Sequence, residues 1–144
     1  MSTRTIRSIL EGRDVLSAPA NTRVVDAARK MRERRVGAIL VMEHSKLVGI
    51  FTERDALFRV LAEGRDPNET TLHDAMTRNP KTIHPDRPFH DALAVMHAGQ
   101  FRHVPVVEDD RPIGVVSARD AMGPELEQFM FSLIVDDQAR DVLA

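Results

Sequence analysis

The chain of 144 residues contains no cysteine, no tryptophan and no tyrosine, and six phenylalanines are its only residues from the Phe, Trp and Tyr group. Without cysteine there is no disulfide, no thiolate metal site and no thiol nucleophile, and the redox compartment is left open. Charge of one sign is scarce as well: 20 Lys and Arg stand against 22 Asp and Glu, a net charge of −2. That balance gives no general pull toward nucleic acid or an anionic membrane. Long hydrophobic runs are missing too. FMFSLIV, residues 129–135, is the longest mainly apolar stretch, far below the roughly 20 residues a membrane-spanning helix requires. The opening MSTRTIRSIL has charge but no apolar h-region of a signal peptide. These absences predict a soluble, cytoplasmic protein with no membrane or nucleic-acid partner. Catalysis finds no foothold either. There is no GxSxG elbow and no Walker or Rossmann glycine loop, and the six histidines show neither HxxxH nor HExxH spacing. No enzyme activity, catalytic residue, metal or catalytic cofactor is expected.

What the chain does have is an internal repeat. GIFTERD (49–55) returns as GVVSARD (114–120), an offset of 114 − 49 = 65. Sliding the chain by 65 keeps register without a gap from Arg13 to Ala121. Arg13 meets Arg78, Asp26 meets Asp91, Met31 meets Met96, Gly49 meets Gly114, and Arg54-Asp55-Ala56 meets Arg119-Asp120-Ala121. Chance matches would scatter over many registers.

Each unit reads as strand, helix, strand, strand, helix. In the second, Phe89, Ala92, Leu93 and Met96 form one helical stripe, with Pro88 at its start and Gly99 where it should stop. Apolar strands follow at AILVM (38–42) and VPVV (104–107); polar turns, EHSK and EDDRP, return the chain into KLVGIF and IGVV. A second helix begins at Thr52 or Ser117. Residues 8–63 and 73–123 are the two repeats, 64–72 a linker and 124–144 a C-terminal helix. On that last helix Leu126, Phe129, Met130, Leu133 and Ile134 share a face that Phe131 and Val135 widen, fit either for packing on its own core or for a second subunit. A unit of about 60 residues buries too little surface to be comfortable alone, so the two should share a core.

The repeated heptapeptide admits two readings. A hydroxyl followed three residues later by an aspartate at a strand-to-helix junction is a capping box: Thr52 or Ser117 caps the helix, and Asp55 or Asp120 suits its positive end. The same groups could instead hold a ligand, the hydroxyl and Arg taking phosphate and the aspartate accepting from a ribose diol.

The duplicated G-h-x-[ST]-x-x-D motif, within the flanks RVGAILVMEHSKLVGIFTERD and FRHVPVVEDDRPIGVVSARD, resembles the CBS domain, named after cystathionine β-synthase. Two in tandem resemble a Bateman module. The resemblance implies an α/β (α+β) fold of two β-α-β-β-α repeats packed with pseudo-two-fold symmetry. It also implies two clefts that bind adenosine compounds such as AMP, ADP, ATP, NAD(H) or S-adenosylmethionine as regulatory ligands. By the same resemblance, Ser117, Arg119 and Asp120 would share a cleft with Leu16, Ser17, Val36, Gly37 and Ala38. Thr52, Arg54 and Asp55 would face Lys81, Thr82, Phe101, Arg102 and His103, with Ile50 and Val115 flanking the base. A homodimer and a separate protein target for signal transduction are implied as well.

Glu53, absent from the second motif, adds negative charge to the first cleft, so the second should favour phosphate unless Lys81, Arg102 and His103 compensate. The run RKMRERR (29–35) has no charged counterpart in the second unit and reads as a solvated helix face. A structural module whose clefts are vestigial, with the hydroxyl–Asp pairs serving only as caps, is the alternative to a nucleotide-binding one.

Overall fold

The computed structural model describes the backbone of residues 4–143 and the side chains of 4–123 and 125–135. The chain opens with a one-turn helix, α1 (Ile6–Leu10), capped by Thr5, whose Oγ accepts from the Ser8 N–H. The first repeat then runs β1 (Ser17–Pro19), α2 (Val24–Arg34), β2 (Ala38–Glu43) and β3 (Lys46–Thr52). Its closing helix begins as α3 (Glu53–Asp55) and widens into a π-helical stretch, Ala56–Leu61. After α4 (Leu72–Ala75) and β4 (Thr77–Arg78), the second repeat supplies α5 (Phe89–Gly99), β5 (His103–Glu108), β6 (Arg111–Ser117) and one 3-10 turn, Ala118–Asp120. The expected second helix of this repeat is therefore a single turn; the chain restarts at Gly123 as α6 (Gly123–Leu143).

Both hairpins follow from their turn residues. His44-Ser45 and Asp109-Asp110 all take positive φ, between 50° and 63°, as a two-residue turn matched to strand twist requires. β2 and β3 pair antiparallel, with β1 parallel on the other side of β2 and β4 on the free side of β3. β5 and β6 repeat the hairpin, bulge included. Where the first repeat has β1, the second keeps a single parallel bridge, Ile83 to Val106, equivalent to Ala18 opposite Val41.

The helix stripe expected in α5 is buried as read: Phe89, Ala92, Leu93 and Met96. Gly99 does not end it. Gln100 is the left-handed C-cap at φ 57°, as Arg35 is for α2 at φ 54°. Gly99 is needed because the Phe101 ring folds back on it; a Cβ there would lie 1.9 Å from Phe101 Cε1.

The two leading helices are exchanged. Ile6, Ile9 and Leu10 of α1 complete the core of the second repeat, alongside Phe89, Leu93, Val104 and Val116. Leu72 and Ala75 of α4, with Met76, complete the first, alongside Met31, Ile39, Val41 and Phe51. The backbone bonds that seat them repeat one for one. Ile6 N donates to Arg87 O and Arg7 N to Pro85 O; Leu72 N donates to Thr22 O and His73 N to Ala20 O. Gly49 and Gly114 now have a shared reason. A Cβ on Gly49 would sit 2.4 Å from Met76 Sδ, and one on Gly114 2.8 Å from Leu10 Cδ2, so each glycine leaves room for the end of the borrowed helix, Met76 as the cap of α4 and Leu10 as the last residue of α1. A third small cluster joins the repeats, with Val115 packing on Ala38, Leu40 and Ile50.

The C-terminal helix divides its apolar residues. Phe129 turns inward against the second core and meets the His90 and His97 rings edge-on, at centroid distances of 6.3 and 5.7 Å. Leu126, Met130, Phe131, Ile134 and Val135 are exposed. Arg4 fastens the helix from the other side: it donates to Glu125 and to the Asp120 carbonyl, and lies over the Phe89 ring.

Candidate functional site

Each hydroxyl–Asp segment stands where a strand ends and a helical turn begins, and both form capping boxes. Thr52 N donates to Asp55 Oδ2 at 3.0 Å, and Ser117 N donates to Asp120 Oδ2 at 2.8 Å. Helix capping is thus present at both positions. Each segment also lines a cavity shared with the other repeat.

The cavity at Ser117 has a volume of about 480 Å³. It joins Val115, Ser117, Arg119 and Asp120 to Leu16, Val36, Gly37 and Ala38, as expected, and adds Arg13, Asp14, Arg34, Arg35, Glu53 and His103. The cavity at Thr52, about 410 Å³, joins Ile50, Thr52, Arg54 and Asp55 to Lys81, Phe101, Arg102 and His103, and adds Phe58, Arg59, Thr77, Pro80 and Gln100. Two expected residues stay outside. Ser17 and Thr82 are exposed and line neither cavity, because alternation along an extended segment turns their neighbours, Ala18 and Ile83, into the cores.

Two sequence readings change here. Arg34 and Arg35 are not simply a solvated face: the left-handed cap at Arg35 ends α2 at the rim of the Ser117 cavity, and both arginines line it. Glu53 does not belong to one cleft. It lines both cavities, as His103 does. Glu53 Oε1 and His103 Nε2 lie 3.0 and 3.1 Å from the place a Gly37 Cβ would take, so these two side chains close over the glycine as a common wall. Burial lowers the His103 pKa, an effect that Arg102 and Arg119 reinforce and that Glu53 and Asp120 oppose, so the site favours the neutral ring. Lys81, Arg102 and Arg59 bring positive charge to the Thr52 cavity that offsets Glu53.

Among the described residues one group has metal-ligand character: His84, Asp86 and Glu108, with ligand atoms within 4.8 Å of one another. Arg7 donates to both carboxylates and holds each carboxyl below its usual range, so the negative charge is already met by a guanidinium. Among the described residues no helix is long and apolar enough to cross a membrane.

The CBS-domain family model matches residues 6–62 and 72–123. The chain therefore belongs to the CBS-domain family, as two tandem repeats. An Arabidopsis thaliana CBS domain-containing protein, CBSCBSPB3, is 43% identical over 102 residues, 70% of this chain and 18% of that protein. The chain spans about a fifth of the length of such plant relatives. A CBS-domain protein of Agrobacterium tumefaciens matches in structure at TM-score 0.74 and 30% identity, over 81% of this chain and 95% of that one. A Pyrobaculum aerophilum CBS-domain protein complexed with AMP matches at TM-score 0.77 and 24% identity, over 89% and 99%. At that identity the likeness establishes the shared fold.

Proposed function

We propose that this chain is a non-catalytic regulatory module that binds an adenosine-containing nucleotide between its repeats and acts on a separate protein. The observation that carries the reading is the pair of cavities. Each places a hydroxyl, an arginine and an aspartate from one repeat opposite the chain of the other, with further cations and apolar walls at hand. That combination suits a phosphorylated nucleoside: apolar faces for the base, guanidinium groups for phosphate, a carboxylate for ribose hydroxyls. The AMP complex of a protein with the same fold supports the choice of ligand class. Binding regulates only if the ligand prefers one conformation over another. A homodimer belongs to the same proposal, supported by the exposed Leu57, Phe58 and Leu61 and by the exposed apolar residues of α6.

The capping boxes support a second reading, in which the aspartates serve the fold alone. Calorimetry with AMP, ADP, ATP, NAD, NADH and S-adenosylmethionine separates the two. Heat of binding and a raised melting temperature are expected for at least one, since a ligand at a hundredfold excess over Kd stabilises by roughly 2.7 kcal/mol. No heat and no shift with any of them overturns the nucleotide reading and leaves the capping role.

A further inference from the structure

The two aspartates of the repeated motif have the same sequence context and different hydrogen-bonding circumstances. A carboxylate has about four acceptor positions, two on each oxygen. On Asp55, Oδ2 accepts from the Thr52 N–H at 3.0 Å and the Thr52 hydroxyl at 3.2 Å. Its Oδ1 accepts from the Thr77 hydroxyl at 3.2 Å and pairs with Arg59 Nε at 3.4 Å. Three hydrogen bonds and a guanidinium thus surround the carboxylate, and the residue is 7% exposed. On Asp120, Oδ2 accepts from the Ser117 N–H at 2.8 Å, and Oδ1 pairs with Arg13 Nη2 at 2.9 Å. Each Asp120 oxygen therefore keeps one acceptor position, in a residue that lines the larger cavity.

The difference has a cause in the sequence. Between Leu10, which matches Met76, and Arg13, which matches Arg78, Thr77 is replaced by Glu11-Gly12, and neither residue carries a hydroxyl to donate. Arg59 has its counterpart at Pro124, where the helix has already been interrupted. The added donors around Asp55 are thus peculiar to the first repeat.

We infer that the chain holds one nucleoside, in the Ser117 cavity, with Asp120 accepting from the ribose diol, while Asp55 is an internal group of the fold that takes no ribose. This rests on the nucleotide reading above and narrows it to one site. For a diol to reach Asp55, Thr77 must first give up its hydrogen bond or Arg59 its ion pair, so every bond the ribose gains there is set against one the fold loses. At Asp120 a diol adds its bonds beside Arg13 without displacing it.

The test is calorimetry of the full chain with AMP and ATP and with their 2′-deoxy counterparts. One nucleotide per chain is expected, with the 2′-deoxy compounds weaker by about tenfold or more, because a hydrogen bond to a charged acceptor is lost. In Asp120→Asn, affinity for the ribonucleotides falls by about ten- to a hundredfold and discrimination against the 2′-deoxy compounds shrinks. In Asp55→Asn the melting temperature drops while the discrimination persists. Two equivalent sites per chain overturn the inference, as does a wild-type affinity indifferent to the 2′-hydroxyl. So does discrimination that survives Asp120→Asn or vanishes in Asp55→Asn. Should Asp55→Asn fail to fold, stoichiometry and 2′-deoxy discrimination in the unmodified protein still decide. Absence of binding by any nucleotide removes the nucleotide reading itself, a different outcome from binding at the wrong place or in the wrong number.

Discussion

Gly99 shows how one missing methyl group shapes the Thr52 cavity. Alanine in place of a helix-interior glycine normally gains about 1 kcal/mol. Here the new Cβ meets the Phe101 ring at 1.9 Å, and overpacking of that kind costs about 1–3 kcal/mol. Gly99→Ala is therefore expected to lower the melting temperature and to swing Phe101 away from the cavity it lines, read by thermal melts and by the Phe101 ring resonances. Gly49→Ala should be milder, because its nearest neighbour is the end of a flexible Met76 side chain. His103 supplies a pH signature. Its folded pKa lies below the ordinary value of 6.5 because of burial. The unfolded chain then binds the proton more readily, so the contribution is present above pH 6.5 and is lost as pH falls toward the lowered folded value. Melting temperatures across pH 7 to 5 should fall in the wild type and fall less in His103→Gln. An equal decline in both proteins contradicts the assignment.

At the scale of elements, each repeat depends on a helix that precedes the other one. Ile6 is fully buried in the second core and Leu72 in the first. Ile6→Ala or Leu72→Ala should cost about 2–5 kcal/mol, measured by urea unfolding, with Ile6→Ala loosening β5 and β6 although it lies far away in sequence. Hydrogen exchange that rises only in residues adjoining position 6 would refute the exchange. This arrangement was only half legible beforehand. The stripe of α5, the hairpins and the register of 65 were all readable, because alternation and turn chemistry act locally. The kinship of α1 and α4 was hidden by a one-residue insertion: Ile6 and Leu72 are 66 apart, not 65. Ser17 and Thr82 were misplaced because family resemblance assigns a segment to a cleft, whereas the pleat decides which of its residues face it. Arg34 and Arg35 were missed because a basic run at a helix end looks the same in solvent as at a rim.

At the scale of the whole molecule, two cores, exchanged helices and the Val115 cluster make independent melting of the repeats unfavourable. A single unfolding transition by calorimetry, with fluorescence-free probes such as far-ultraviolet dichroism coinciding, is the expected outcome; two resolved transitions would contradict it. Leu57, Phe58 and Leu61 and the outer residues of α6 stay exposed, and contiguous apolar surface of that kind marks an interaction site. Light scattering should return a particle of twice 16.2 kDa, and Met130→Glu with Ile134→Glu should halve it without lowering nucleotide affinity, since neither residue lines a cavity.

The exchanged helices have a consequence for a chain half this long. A lone repeat carrying its leading helix would find no second core within its own polypeptide on which to seat it. Two copies would satisfy each other, each lending a helix across the boundary, and the result would be a swapped pair. The present chain has the connectivity of such a pair with its two members spliced tail to head through residues 62–71. During synthesis the first repeat can close as soon as Met76 has emerged, whereas α1 must wait until β6 has been made. Of the two exchanged helices, the one made earlier is thus the later to be seated.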